Sequence, residues 1–179
     1  METVQVILVD KNDQPVGFSG KTTAHEQGLL HRAFSVFIFN PAGEMLLQQR
    51  AQHKYHSGGL WTNACCSHPL PGEETLEAAQ RRLEEELGFS VPVTKIFDFV
   101  YKAELENGLT EHEFDHVFTG EYTGPINFNK DEVMAVSYRG IKEIRESMRS
   151  DPGQYTAWFH LAFPGIADWW QKQYNNRVA

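Results

Sequence analysis

Five side chains of the kinds that bind divalent metals are spread over three segments of the chain: His25, His31, His68, Glu111 and Glu113. Glu111 and Glu113 lie in a predicted strand, where a spacing of two residues places both carboxylates on the same face. Imidazole together with carboxylate suits Zn²⁺, Mn²⁺ or Fe²⁺. These residues form a candidate metal site, although separate surface groups would leave the same pattern.

A second group of charged residues lies in the segment 73–87, which is the clearest predicted helix. Its apolar residues recur at spacings of three and four, and Gly88 supplies a stop. Arg82 and Glu86 are one helical turn apart, so a cation for an anionic ligand and a carboxylate for Mg²⁺ share a face. A solvent-exposed charged helix would have much the same composition.

The two cysteines, Cys65 and Cys66, are adjacent and precede His68. Neighbouring residues of an extended strand point to opposite faces, so we expect reduced thiols and no disulfide framework. A thiol two residues before a candidate metal ligand could act as acid or base on one side of a substrate, while a metal-bound carboxylate acts on the other. The simpler alternative is a buried, inert thiol.

These residues need strands and helices to position them, and the apolar patterns predict both. The predicted strands are Val4–Val9, Phe34–Phe39 in a central hairpin with Glu44–Arg50, Leu60–Ser67, and Ile96–Leu105 joined at Asn107-Gly108 to Thr110–Tyr122. Two further helices are predicted over Ile141–Met148 and Trp158–Tyr174, the second broken at Pro164-Gly165. The pattern indicates the α/β (α+β) class, a sandwich of mixed β-sheet and helices in a single domain over residues 1–179.

Composition limits the partners. Sixteen Lys and Arg against 24 Asp and Glu give a net charge of -8, which makes nucleic acid a poor partner. The longest apolar stretches, such as 34–39, are far shorter than the roughly 18 residues of a membrane-spanning helix. No secretory signal pattern begins the chain. We therefore expect a cytoplasmic protein with no membrane partner.

The second group also matches a known motif in residue order. The Nudix box reads G-x5-E-x7-R-E-U-x-E-E-x-G-U, and its positions are occupied by Ser67, Glu73, Arg81, Arg82, Leu83, Glu85, Glu86, Gly88 and Phe89. Ser67 stands in place of the first Gly, and Arg82 in place of the Glu that follows the Arg. In Nudix hydrolases that Glu belongs to the catalytic metal-binding set, so its loss argues against diphosphate hydrolysis.

The chain as a whole resembles the type I isopentenyl diphosphate isomerases, a family with the Nudix fold. Five segments carry this resemblance in the family's order: His25–Ser35, Trp61–Pro69, Arg81–Gly88, the Glu111 and Glu113 pair, and Asp131–Val133. The matched motifs extend from about residue 21 to residue 158. The resemblance implies a Nudix-like sandwich fold.

The resemblance also implies a role for each matched residue. Cys66 and Glu113 would be the two catalytic acid/base groups, with the Tyr101 hydroxyl near Glu113. One divalent metal (Mn²⁺, Zn²⁺ or Mg²⁺) would be bound by His25, His31, His68, Glu111 and Glu113. A Mg²⁺ on the substrate diphosphate would be held by Glu86 and the main-chain carbonyl of Cys66. The diphosphate and the active-site indole would involve Lys21, Arg50, Lys54, Arg82 and Trp158.

The implied activity is interconversion of isopentenyl and dimethylallyl diphosphate through a tertiary carbocation, in isoprenoid biosynthesis. The partner would be a small isoprenoid diphosphate, and the protein a monomer or weak homo-oligomer. A Nudix hydrolase of nucleoside diphosphate derivatives and a non-catalytic binding module are the alternatives. Trp158 alone would be read as a core residue.

Overall fold

The computed structural model describes residues 4–178, with side chains for residues 4–173. The strands in this part of the chain are β1 (Gln5–Val9), β2 (Pro15–Gly20), β3 (His31–Phe39), β4 (Met45–Arg50), β5 (Trp61–Thr62), β6 (Cys65–Ser67), β7 (Thr94–Glu104), β8 (Thr110–Glu121) and β9 (Val133–Arg139). The α-helices are α1 (Lys21–Gln27), α2 (Thr75–Leu87), α3 (Ile141–Ser150) and α4 (Ala157–Val178). Short 3-10 turns lie at Glu106–Gly108 and Pro152–Gln154.

Strand β3 is the centre of a mixed sheet. It pairs in parallel with β8 along its whole length, and antiparallel with β1, β6 and β4. The alternate residues Phe34, Val36 and Ile38 pack against α2, whereas Phe37 and Phe39 pack with α3 and α4. The apolar run in β3 is nearly continuous because both of its faces are buried. The predicted sandwich of mixed sheet and helices is confirmed.

The predicted central hairpin of β3 and β4 is wrong over most of its length. The two strands meet only at Phe39 and Met45. Beyond that pair they diverge, since β5 takes the edge of β4 and β6 takes the edge of β3. The segment 60–67, predicted as one strand, therefore forms two short strands between β3 and β4. Its backbone groups bond to the groups of β3 and β4 that a hairpin would have paired with each other.

The predicted break at Pro164-Gly165 is also wrong, because α4 continues through both residues. A proline in a helix interior costs about 3 kcal/mol. Phe159 and Phe163 before the proline, and Ile166 after it, are buried in the same apolar cluster. Packing on both sides of the proline outweighs the missing backbone hydrogen bond.

Other local predictions agree with the structure to within a few residues. Helix α2 ends at Gly88, which has the left-handed φ of 74°, and β7 turns into β8 through Asn107 and Gly108, both with positive φ. No prediction covered β2, α1 or β9. Among the described residues, no helix is long and apolar enough to span a membrane.

Gly88 and Gly72 allow backbone strain to be separated from packing. Both have left-handed φ values, 74° and 81°, but a Cβ on Gly88 would lie 2.5 Å from the Asn127 carbonyl oxygen, whereas nothing lies within 4 Å of one on Gly72. We expect Gly72→Ala to lower the free energy of unfolding by about 1–2 kcal/mol, and Gly88→Ala to lower it further. Urea unfolding measures both, and equal losses would contradict the packing contribution.

Candidate active site

Three elements converge on the predicted metal ligands. Strand β8 presents Glu111 and Glu113 on one face by its alternation, and both side chains are buried. The parallel register places His31, the first residue of β3, opposite Glu113. Helix α1 brings in Lys21 and His25, which are one turn apart on its surface.

Four of the five predicted ligands form one group. Ligand atoms of His25, His31, His68 and Glu113 all lie within 4.8 Å of one another. His68 Nε2 is 2.9 Å and His31 Nε2 is 3.5 Å from Glu113 Oε1. The two imidazole nitrogens are themselves 3.2 Å apart.

This group fits a divalent cation. The Nδ1 atoms of His25 and His31 lie 2.7 and 2.8 Å from the main-chain carbonyls of Lys21 and Leu29. A carbonyl only accepts, so both Nδ1 atoms donate and both Nε2 atoms carry lone pairs. His25 Nε2 is buried without a hydrogen-bond partner. Burial lowers the pKa of His25, and it lowers that of His68 to about 3, which keeps these imidazoles neutral and able to bind a metal.

The fifth predicted ligand, Glu111, lies in a neighbouring group with His25 and His56. The Tyr101 hydroxyl connects the two carboxylates, 2.9 Å from Glu111 Oε2 and 2.6 Å from Glu113 Oε2. Burial raises the pKa of Glu111 well above its usual value, and the charge of Glu113 adds to the shift. Burial alone would also raise the pKa of Glu113, but its contacts with the His31 and His68 imidazoles hold it well below its usual value. Glu113 is therefore the ionised member of the pair.

Cys66 and Glu113 line the same small cavity, which has a volume of about 40 Å³. The Trp158 indole forms part of its wall, and the Arg50 guanidinium lies 5.2 Å from the centre of that ring. The other lining residues are Lys21, His56, Ser67, His68, Tyr101 and Glu111. The structure thus brings thiol, carboxylate, indole and two cations together.

The surroundings of Cys66 are polar and buried. Its Sγ donates to Asn63 Oδ1 at 2.9 Å and lies 3.4 Å from Ser35 Oγ. Ser35 in turn donates to Asp115 Oδ2 at 2.7 Å. Burial raises the pKa of the Cys66 thiol, and the nearby Asp115 adds to that shift. Cys65 points the other way into the apolar core, as predicted for adjacent residues of a strand.

The predicted diphosphate-binding cations form two pairs. Lys21 and Arg50 line the cavity, whereas Lys54 and Arg82 are not among its lining residues. Both of the latter contact Glu132, at 2.5 Å for Lys54 Nζ and 3.4 Å for Arg82 Nη2. Burial lowers the pKa of Lys21 to about 8, with further lowering by the charges of Lys54 and Arg50. Lys21 and Arg50 are therefore at the cavity, whereas Lys54 and Arg82 are paired with the half-buried carboxylate of Glu132.

Glu86, the predicted Mg²⁺ ligand, is buried and bonded to protein groups. It accepts hydrogen bonds from Gln48 Nε2 at 3.0 Å and Arg82 Nη2 at 2.6 Å. It is not among the residues that line the cavity. Arg82, the residue that departs from the Nudix box, thus neutralises one of the box carboxylates.

Asp115 and His56 are buried ionisable residues of the site for which there was no prediction. Asp115 continues the alternation of β8 on the face of Glu111 and Glu113, so the strand period could have identified it. His56 lies in the loop between β4 and β5, where no periodicity applies. No local signal in the sequence distinguished it from the exposed His53 in the same loop.

The chain is similar to known proteins over most of its length. A NUDIX domain model matches residues 29–159. An isopentenyl-diphosphate Delta-isomerase of Pectobacterium atrosepticum is 52% identical over 171 residues, covering 96% of each chain. One of Halorhodospira halophila is 43% identical and covers 92% of this chain and 97% of its own.

Solved structures show the fold at low sequence identity. DR0079 of Deinococcus radiodurans has a TM-score of 0.68 at 16% identity, covering 82% of this chain and 89% of its own. A MutT protein of Methanosarcina mazei has a TM-score of 0.65 at 18% identity, covering 78% and 94%. The matched domain and the curated relatives show that the chain belongs to the Nudix-fold isopentenyl-diphosphate Delta-isomerase family.

Proposed function

We propose that this protein interconverts isopentenyl diphosphate and dimethylallyl diphosphate. The observation that carries the proposal is the shared cavity, which is lined by a thiol and by a carboxylate in contact with a histidine. The relatives that cover nearly the whole chain are named for this reaction. The Nudix hydrolase alternative is weaker, because Arg82 bonds to Glu86 and Glu85 where the box has a further carboxylate.

The hydrocarbon end of the substrate needs proton transfer without water. One proton is added to an unactivated alkene and another is removed across a three-carbon unit, with a tertiary carbocation between. We assign the two transfers to Cys66 Sγ and the Glu113 carboxylate, on opposite sides of the carbon chain. Tyr101 O–H, 2.6 Å from Glu113 Oε2, holds that carboxylate in position. The Trp158 face would stabilise the cation by about 2 kcal/mol in a dry site.

A divalent metal would be held by His25, His31, His68 and the two carboxylates, Glu111 and Glu113. When bound, it supplies positive charge that fixes the Glu113 carboxylate and favours release of a nearby proton. Mn²⁺, Zn²⁺ and Mg²⁺ are the candidates. The side chains of this centre hold their orientation through the carbonyl contacts of His25 and His31.

The diphosphate end needs positive charge. Lys21 and Arg50 would bind phosphate oxygens in the cavity, while Lys54 and Arg82 would exchange Glu132 for them. We infer that Glu86 and the Cys66 carbonyl hold a Mg²⁺ on the bound diphosphate. Binding energy at this end fixes the reacting carbons at the other.

The cavity of about 40 Å³ has room for an ion or a water molecule. Substrate entry therefore requires the side chains that close the cavity to move. We further infer that the protein acts in the cytoplasm, as a monomer or weak homo-oligomer, on this small diphosphate of isoprenoid biosynthesis. Its net charge of -8 argues against a nucleic-acid partner.

The activity itself is tested by proton NMR of isopentenyl diphosphate in D₂O with the protein, Mg²⁺ and Mn²⁺. We expect dimethylallyl diphosphate to appear with deuterium in the product, because the added proton comes from exchangeable groups. Protein that is folded and metal-loaded but gives neither product nor exchange would exclude the isomerase. Release of inorganic phosphate instead would support a hydrolase.

Adjacent cysteines provide a matched pair of variants. We expect Cys66→Ala to lower turnover by about 10²–10⁴-fold or more, since it removes an acid/base group, with little change in the unfolding midpoint. Cys65→Ala removes a buried core thiol, so it should lower stability by about 1 kcal/mol and leave turnover nearly unchanged. Near-wild-type activity in Cys66→Ala would remove that residue from the mechanism.

Metal removal should destabilise the fold. Dialysis against a chelator is expected to lower the Tm, and Mn²⁺ should restore it, because an ion that binds only the folded state adds about 2.7 kcal/mol at 100 times its Kd. His31→Asn should lose most of this response, since His31 Nε2 lies in the ligand group. Differential scanning calorimetry measures the shift. A wild-type Tm that is the same with and without metal would contradict the site.

A further inference from the structure

His56 has no assigned role, yet it lies at the metal centre. It is only 5% exposed. Its ring stacks on that of His25, with centroids 5.9 Å apart. Ligand atoms of His56, His25 and Glu111 all lie within 4.8 Å of one another. This is the group that contains the fifth predicted ligand.

The loop between β4 and β5 is tightly fixed around this histidine. Ser57 has a φ of 52°, a left-handed value that is rare for a residue other than glycine. Its N–H donates to the Glu106 carboxylate, and Arg50 Nη2 donates to the His56 carbonyl at 3.3 Å. A Cβ on Gly58 would lie 2.4 Å from the Gln52 carbonyl oxygen, so the chain turns too closely there for a side chain. These contacts hold the imidazole inward.

Of the two ring nitrogens of His56, only Nδ1 has a hydrogen-bond partner among the described residues. Nδ1 lies 3.3 Å from Ser57 Oγ. Nε2 faces Glu111 Oε1 at 3.7 Å, which is too long for a direct hydrogen bond. The Tyr55 and Trp158 rings lie 4.4 and 5.8 Å from the His56 ring, and Lys21 and Arg50 line the same cavity. A cation between His56 and Glu111 would satisfy both groups.

The two ligand groups share His25, so an ion bound to that residue would have both groups around it. The His25 Nδ1 donates to a carbonyl, so only Nε2 can bind a metal, and one lone pair binds one ion. Ligand atoms on an octahedral ion with bonds of about 2.1 Å lie about 3.0 Å apart when adjacent and about 4.2 Å apart when opposite. Within each group the atoms are no more than 4.8 Å apart, and an ion on His25 Nε2 would draw the two groups together.

We propose that His56 is a sixth ligand of the metal centre, beside His25, His31, His68, Glu111 and Glu113. This rests on the metal site of the proposed function and extends it. Six protein ligands form a closed sphere with no position for water or substrate. The ion then acts only by its charge and by fixing the two carboxylates. Such a sphere favours an ion that accepts octahedral coordination, such as Mn²⁺, over Zn²⁺, which prefers tetrahedral coordination.

The test counts water molecules on bound Mn²⁺. Electron-nuclear double resonance in ¹⁷O-enriched water detects any water oxygen coordinated to the ion. We expect none in the wild-type protein without substrate and one in His56→Ala, where water replaces the lost nitrogen. Mn²⁺ affinity, measured by competition with a chelator, should fall about tenfold or more in His56→Ala. The exposed His53→Ala in the same loop is the control and should match the wild type in both measurements.

Several results would overturn the proposal. A water oxygen on wild-type Mn²⁺ would mean an open sphere. A loss of affinity in His56→Ala with no new water would mean that His56 only orients Glu111. Unchanged affinity would remove it from the centre, as would wild-type protein that binds no Mn²⁺. Circular dichroism of the metal-free variants checks folding, and His56→Asn, which keeps a polar side chain, replaces His56→Ala if that variant is unfolded. Because no substrate is present, failure of the isomerase reaction leaves these measurements unaffected.

Discussion

The site depends on one constraint, which is the pairing of β3 with a different strand at each edge. The parallel register with β8 sets His31 opposite Glu113, while the antiparallel register with β6 sets Cys66 opposite Ser35. A shift by one residue in either pairing would turn Glu113 or Cys66 to the other face of the sheet. The apolar faces of β3 pack on helices from both sides, and this packing fixes the registers.

The interior around these strands holds more ionisable groups than an ordinary core. Glu111, Glu113 and Asp115 lie side by side on β8, all less than 9% exposed, and burial raises the pKa of Asp115 to about 8. Buried carboxylates and unpaired imidazole nitrogens are costly unless a partner satisfies them. Here Tyr101 and the histidines satisfy part of the set, and a cation would satisfy the rest. The buried polar groups therefore lower the stability of the core and in return form a preorganised site, which is common where proteins function.

The sequence was sufficient where a local signal agreed with the packing. Periodicity and Gly88 predicted α2, and Asn107-Gly108 predicted the hairpin of β7 and β8. Where long-range packing decided the outcome, local signals failed: β3 and β4 diverge to admit β5 and β6, and α4 continues through Pro164. For the site, motif positions identified the residues around the cavity. They did not identify His56, because a loop places it by contacts distant in sequence, nor the binding of Lys54 and Arg82 to Glu132.

In the mechanism that we propose, the Cys66 thiol and the Glu113 carboxylate act on opposite sides of one five-carbon chain. The most direct test is a crystal structure of the metal-loaded protein with a non-reactive isopentenyl diphosphate analogue. We expect Sγ and the carboxylate to approach the reacting carbons from opposite faces, with no water between them and those carbons. The diphosphate should lie on the lysines and arginines. Both groups on one face, or an analogue bound away from Cys66, would contradict it.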